Sequence, residues 1–225
     1  MLRVLDLFAG VGGFTEGLEV CGAGKFETVA FCEQDKDKQA ELHRTWPNVP
    51  IYDDVTELTH DQLKADGIGR IDLITAGFPC TDISVSGKGR GIEGEKSGLW
   101  SEVARLLGEI RPKYILLENS PELLGRGVGK VYGEVAQIGG YRGEWMCIPA
   151  WLVGTPIIRD RWFFLGVAHK DGVLEKNRFA HVQQNILDNG YWKEGSDRLT
   201  PTGCWDYWES RFGSQPRFCE VDDGI

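Results

Sequence analysis

Along residues 1–168, short apolar runs alternate with amphipathic or polar stretches. Residues 3–7 (RVLDL), 27–32 (ETVAFC), 71–76 (IDLITA) and 113–119 (KYILLEN) are near-continuous apolar runs of strand length. Between them lie helix-like stretches at about 14–20, 36–45 and 99–109, and another at about 129–138 follows the last strand. Strands of this kind need cover on both faces. The alternation therefore predicts an α/β domain with a mainly parallel sheet. WMCIPA (145–150) and RWFFLGV (161–167) then supply two β-rich stretches, which predict a hairpin at the sheet edge. From His169 the pattern decays into polar turns mixed with aromatics. This places a boundary near 168, with a domain over 1–168 and an irregular region over 169–225. Residues 81–97 are Gly- and Ser-rich with no apolar period, which predicts a long loop.

Composition adjusts this picture only slightly. A charged fraction of 26% and a hydrophobic fraction of 41% are those of an ordinary globular protein. Five of the eight Trp (Trp151, Trp162, Trp192, Trp205, Trp208) follow residue 150, which marks a distinct packing unit there. The chain opens directly on a strand pattern and has no run of about 18 apolar residues, so a cytoplasmic protein without a membrane anchor is expected. In a reducing compartment the six cysteines (Cys21, Cys32, Cys80, Cys147, Cys204, Cys219) are expected as free thiols. None has zinc-site spacing and the four His are dispersed, so no metal is expected. The net charge of −9 argues mildly against nucleic acid, although a basic cleft on an acidic protein still binds DNA.

Two turns and several strand-end side chains carry candidate chemistry. DLFAGVGG (6–13) sits where a strand meets a helix. Glycines there serve either a tight packing turn or close approach of backbone to an anionic ligand. The dinucleotide pattern Gly-x-Gly-x-x-Gly is incomplete, because Thr15 follows Gly10 and Gly12, and this disfavours a dehydrogenase. Glu33 lies about 20 residues further on, at the end of the second strand; it is either a solvated charge or an acceptor for both ribose hydroxyls. Asp53 and Asp54 either cap a turn or reach an adenine amino group. GFPC (77–80) ends the third strand, at the mouth of the Gly-rich loop. A lone Cys is more often a small buried hydrophobe than a nucleophile, but this setting favours reactivity. Glu118 ends the next strand and should lie near Cys80. Desolvation there favours its protonated form, which suits a proton donor. Arg159 and Arg161, two apart, are surface cations or a guanidinium fork aimed at a carbonyl oxygen. A thiolate, a proton-donating carboxyl, an Arg and an adenosyl cofactor together suit one reaction. Thiolate addition to carbon 6 of cytosine, with protonation at ring nitrogen 3, gives an enamine whose carbon 5 accepts a methyl group.

In this order DLFAGVGGF, FCEQD, DDV, GFPCTDIS, ENS and PIIRDR resemble the carbon-5 cytosine DNA methyltransferases, and GKGRGIEGEKSGLW (87–100) is similar to their compact phage and prophage-encoded members. The resemblance covers residues 1–168. It implies a class I methyltransferase fold, S-adenosyl-L-methionine as cofactor, and double-stranded DNA with the base flipped into the pocket. It also implies that Cys80 is the nucleophile and that Pro79 shapes its turn. Glu118 then acts on ring nitrogen 3, Asn119 supports the loop, and Arg161 with Arg159 holds the base carbonyl. For the cofactor it implies Asp6, Phe8 on the adenine, Ala9, Gly10, Gly12 and Gly13 by the methionine part, Glu33 on the ribose, and Gln34, Asp54, Val55 and Phe78 around the adenosine. Ser84, Ser86, Lys88 and Arg90 would meet DNA phosphates as the loop closes, and 169–204 would be a reduced target-recognition region.

The sequence departs from the family at four places. Ile157 stands where Gln is usual, Gln34 where an apolar residue is common, and ENS replaces Glu-Asn-Val. The final family helix with its Gly-Asn pair is not found before Ile225, which leaves three alternatives: it is supplied by a second chain or segment, removed by truncation, or never needed. These departures keep two alternatives open: a methyltransferase-like protein that binds without turnover, and an enzyme acting on tRNA.

Overall fold

A computed structural model describes residues 1–79, 98–150 and 159–168. Cys80, Ser84, Ser86, Lys88, Arg90, Ile157 and the region 169–225 lie outside the described residues. The chain runs β1 (Leu2–Leu7), α1 (Gly13–Cys21), β2 (Phe26–Cys32), α2 (Lys36–Thr45), β3 (Ile51–Tyr52), α3 (His60–Ala65), β4 (Leu73–Ala76), α4 (Leu99–Ile110), β5 (Tyr114–Asn119), α5 (Leu123–Arg126), α6 (Val128–Gly139), β6 (Tyr141–Pro149) and β7 (Asp160–Ala168). One seven-stranded sheet has the order β3-β2-β1-β4-β5-β7-β6. Strands β1 to β5 pair in parallel, whereas β7 pairs antiparallel with both β5 and β6. The expected edge hairpin is present, with its second strand inserted next to the parallel set.

Register places residues in rows across the sheet. Leu5, Ile74 and Ile115 form one row, and Leu7, Ala76, Leu117 and Phe164 another. These side chains join Trp100, Val103, Leu106 and Leu107 of α4 and Val131 and Val135 of α6 in the main core. Each fully buried aliphatic side chain there contributes roughly 1.5–3 kcal/mol. Alternate residues point to the opposite face. There Asp6, Thr75, Leu116 and Leu165 share a row, as do Glu118 and Phe163. Helix α1 covers part of that face, with Phe14 set edge-on to Phe163 at 6.4 Å. Tyr114, Leu116, Phe163 and Leu165 are only half-buried.

Strand β3 and helices α3 and α5 are not evident from periodicity, because segments of two, six and four residues are too short to show one. Helix α3 does carry a start signal: Thr59 caps it by accepting from the Gln62 amide at 3.1 Å, a Thr-x-x-Gln pattern. Among the described residues, no helix is long and apolar enough to cross a membrane.

Candidate active site

The winding direction of the sheet reverses between β1 and β4. Ligands in such folds bind beyond the strand ends at that crevice. Leu7 and Ala76 end the two strands as register partners, so the Gly-rich turn and the turn leading into Cys80 leave the sheet side by side.

In the first turn Phe8 (φ 55°), Gly10 (φ 59°) and Gly12 (φ 88°) are left-handed. The non-glycine Phe8 stores about 1–3 kcal/mol of backbone strain there. Gly12 admits no side chain, since a Cβ would come within 2.4 Å of the Trp46 ring. At Gly10 and Gly13 the same direction is open. Ala9 is buried, and its amide donates to the Cys32 carbonyl at 3.1 Å, tying the turn to the end of β2. One residue beyond stands Glu33, 9% exposed. Its Oε2 accepts from the Gly10 amide at 2.8 Å and its Oε1 from the Asp35 amide at 2.9 Å. Two backbone donors thus hold this carboxylate against the glycine turn, and each oxygen keeps lone-pair capacity for a hydroxyl.

The next acidic pair divides its work. Asp53 is taken by Lys36 at 2.7 Å and by Gln39 at 2.9 Å. Asp54 accepts from the amide and the hydroxyl of Thr56, both at 2.8 Å, through Oδ1. Val55 is buried and Gln34 is exposed.

Asp6 sits differently from the contact residue expected of it. It is fully buried, with Oδ1 accepting from Thr75 at 2.6 Å and Oδ2 from Thr15 at 3.0 Å, and Thr28 donates on to Thr15 at 3.0 Å. Its role is therefore to join β1, β4, α1 and β2 behind the turn, rather than to face the pocket. Burial pushes its carboxyl up from the ordinary 3.8 to about 7, against the lowering effect of the two hydroxyls. An acid raised on folding adds stability that is complete at low pH and lost as pH rises. The window runs from about 4 to about 7 and spans at most about 4 kcal/mol. Asp6→Asn is expected to flatten the dependence of unfolding free energy on pH across that window. Urea titrations at several pH values would show this; an unchanged slope would contradict it.

The second turn rests on β5. Asn119, 2% exposed, donates its amide to the Phe78 carbonyl at 3.2 Å, and its Oδ1 accepts from the Ser120 amide at 2.7 Å. The Phe78 ring is buried against Trp100 of α4, 5.1 Å between centroids, so it packs as core. Pro79 follows, half-buried, and leads into Cys80. Glu118 lies along the same backbone, since a Cβ at Gly77 would stand 3.2 Å from its Oε2. The absent side chain at Gly77 leaves that carboxylate room, since a Cβ there would press on it by a few tenths of an ångström. Arg161 donates through Nε to Glu118 Oε1 at 2.6 Å and through Nη1 to the Asp160 carbonyl at 2.8 Å. Arg159 precedes β7 and is exposed. Burial pushes the Glu118 carboxyl above its usual range, although the charges of Arg161 and Arg159 pull the other way.

Among the described residues, the thiols offer little competition for a nucleophile's role. Cys32 and Cys147 are buried, and burial pushes both up to about 12. Cys21 is exposed at the last residue of α1, the end away from the Gly-rich turn that opens the helix. Among the described residues, no group of three or more His, Cys, Asp or Glu is placed to hold a metal ion.

The sheet order and the two turns define the α/β Rossmann-like fold of methyltransferases. A crystal structure of a prophage-encoded methyltransferase of E. coli superposes with a TM-score of 0.63 at 26% identity, covering 76% of this chain and 47% of that one. The S. pombe Dnmt2 methyltransferase gives 0.65 at 17% identity over 88% and 57% of the two chains, a likeness of fold alone. Residues 2–200 match the C-5 cytosine-specific DNA methylases, and the chain belongs to that family. The family uses S-adenosyl-L-methionine. The type II methyltransferase M.CviJI of Paramecium bursaria Chlorella virus IL3A is 37% identical over 166 residues, 73% of this chain and 43% of its own length. M.Bsp6I of Bacillus sp. (strain RFL6) is 36% identical over 171 residues, 74% and 52% respectively. The chain thus spans about half the length of these relatives.

Proposed function

We propose that this chain carries the core of an enzyme that methylates carbon 5 of cytosine in double-stranded DNA, through a covalent bond between Cys80 and carbon 6 of a flipped-out base. The observation that carries this reading is the Glu118–Arg161 pair, held against the turn that leads into Cys80. The cofactor site fits as well. Glu33 presents a carboxylate fixed by two amides, and the directions beyond Gly10 and Gly13 are open for a ligand lying along the turn. Glu33 would take the ribose hydroxyls, Asp54 the adenine amino group, and Phe8 a face of the adenine. Bound S-adenosyl-L-methionine supplies an electrophilic methyl group.

The chain's own residues do the rest. The Cys80 thiolate adds to carbon 6, and its electron pair leaves carbon 5 nucleophilic as Glu118 gives its proton to ring nitrogen 3. Arg161 orients Glu118 and holds the base carbonyl. After methylation, a solvent water takes the carbon 5 proton; the freed electron pair forms the carbon 5–carbon 6 double bond and expels the Cys80 thiolate, while the nitrogen proton returns to Glu118. Ser84, Ser86, Lys88 and Arg90 would neutralise phosphates around the flipped nucleotide.

The half-buried Leu116, Leu165 and Phe163, in neighbouring rows of one sheet face, support a second proposal. A further segment or chain covers that face and completes the pocket. The assay for the main reading uses cofactor with a tritiated methyl group, unmethylated duplex DNA and tRNA in parallel. Label in DNA alone is expected; label confined to tRNA, or none in either, would overturn it.

A further inference from the structure

Helix α4 touches both halves of the site, and Arg105 is its contact with the adenine side. The guanidinium spends its donors on two pairs of partners. Nη2 donates to the backbone carbonyls of Val55 and Leu58, both at 2.9 Å. Nε and Nη1 are held at 2.7 Å by Glu102 and Glu109, one turn away on either side. Glu109 also accepts the His60 amide at 3.0 Å, so the end of the same segment is fastened to α4 a second time. Asp54 stands immediately before Val55 at the start of this turn, and its own carbonyl accepts from Glu57 at 3.2 Å and Leu58 at 3.1 Å. Nothing else in the described structure joins Val55 and Leu58 to a single rigid donor. A planar fork fixed by two carboxylates sets the distance between those carbonyls as a more mobile ammonium would not. On the other side of α4, Trp100 packs on Phe78 in the turn that leads into Cys80.

We infer that Arg105 is a positioning residue for cofactor recognition: by clamping Val55 and Leu58 it aims the Asp54 carboxylate at the exocyclic amino group of the adenine. The inference rests on the adenosyl site proposed above. Arg105 itself touches no cofactor. Its effect should therefore appear only with ligands whose amino group Asp54 reads.

Binding of S-adenosylhomocysteine and of S-inosylhomocysteine, which carries a carbonyl in place of that amino group, separates the possibilities by calorimetry. The wild-type chain should prefer the adenosyl ligand. Arg105→Ala should lose roughly tenfold in that preference, the scale of one weakened hydrogen bond, through the adenosyl ligand alone. Arg105→Lys keeps the charge between Glu102 and Glu109 but lacks the fork, and should show the same loss if the alanine variant does not fold. Equal weakening for both ligands, or an unchanged preference, would overturn the positioning role while leaving the cofactor site standing. A wild-type chain that binds neither ligand would overturn the cofactor reading, and this inference with it.

Discussion

Cys80→Ala is expected to lower methyl transfer by a factor on the order of 10^5 or more, while cofactor affinity and thermal unfolding stay unchanged. The size follows from the chemistry. Without a covalent adduct carbon 5 has no enamine to make it nucleophilic. The described cysteines do not compensate. Cys32 and Cys147 are buried with thiols pushed up to about 12, and Cys21 lies near the far end of α1. Single-turnover kinetics with labelled cofactor would measure the loss. Residual activity within tenfold of wild type would mean that a different residue attacks.

Glu118→Gln should cost about 10^2 to 10^4 in the rate of the chemical step, the usual worth of a positioned general acid. Gln keeps the shape beside Gly77 and can still accept from Arg161, so binding of DNA and cofactor should hold. The pH profile gives a sharper test than the rate. In the proposed reaction the working form of Glu118 is the protonated one, and burial pushes its carboxyl above the usual range. Activity should therefore fall as pH rises through that raised value, and this alkaline limb should disappear in the Gln variant. Arg161 pulls the same carboxyl down. Arg161→Ala should accordingly move the limb to higher pH even as it lowers the rate. A limb that stays in place in both variants would remove Glu118 from the acid's role.

Much of this was readable in the sequence, because the signals are local. Apolar runs of strand length and the helices between them determine a parallel α/β sheet. WMCIPA and RWFFLGV, with no helical period between, announce the antiparallel edge. The position of Glu118 at the end of a buried strand gives both its place beside the nucleophile's turn and the direction of its shift. What escaped depends on register between distant segments. Asp6 looks like a cofactor contact because it opens the Gly-rich turn. The hydroxyls that enclose it come from Thr75, 69 residues away, and Thr15. Phe78 neighbours the proposed nucleophile in sequence, yet Trp100 takes its ring into the core. Arg105 reads as one cation among several on an amphipathic helix. Its meaning appears only when α4 is laid beside residues 55–58, some 50 positions earlier. Gly77 is similar, since the carboxylate it stands close to belongs to another strand.

The two turns and the Glu118–Arg161 pair converge on one claim, that Cys80 attacks carbon 6 of cytosine in duplex DNA. Duplex DNA carrying 5-fluorocytosine tests it most directly, because fluorine at carbon 5 cannot leave as a proton does and the adduct cannot resolve. With cofactor present, a denaturing gel should show a protein–DNA species whose crosslinked peptide contains Cys80, and Cys80→Ala should give none. Absence of that species from the wild-type protein, or its persistence in the alanine variant, would contradict the account.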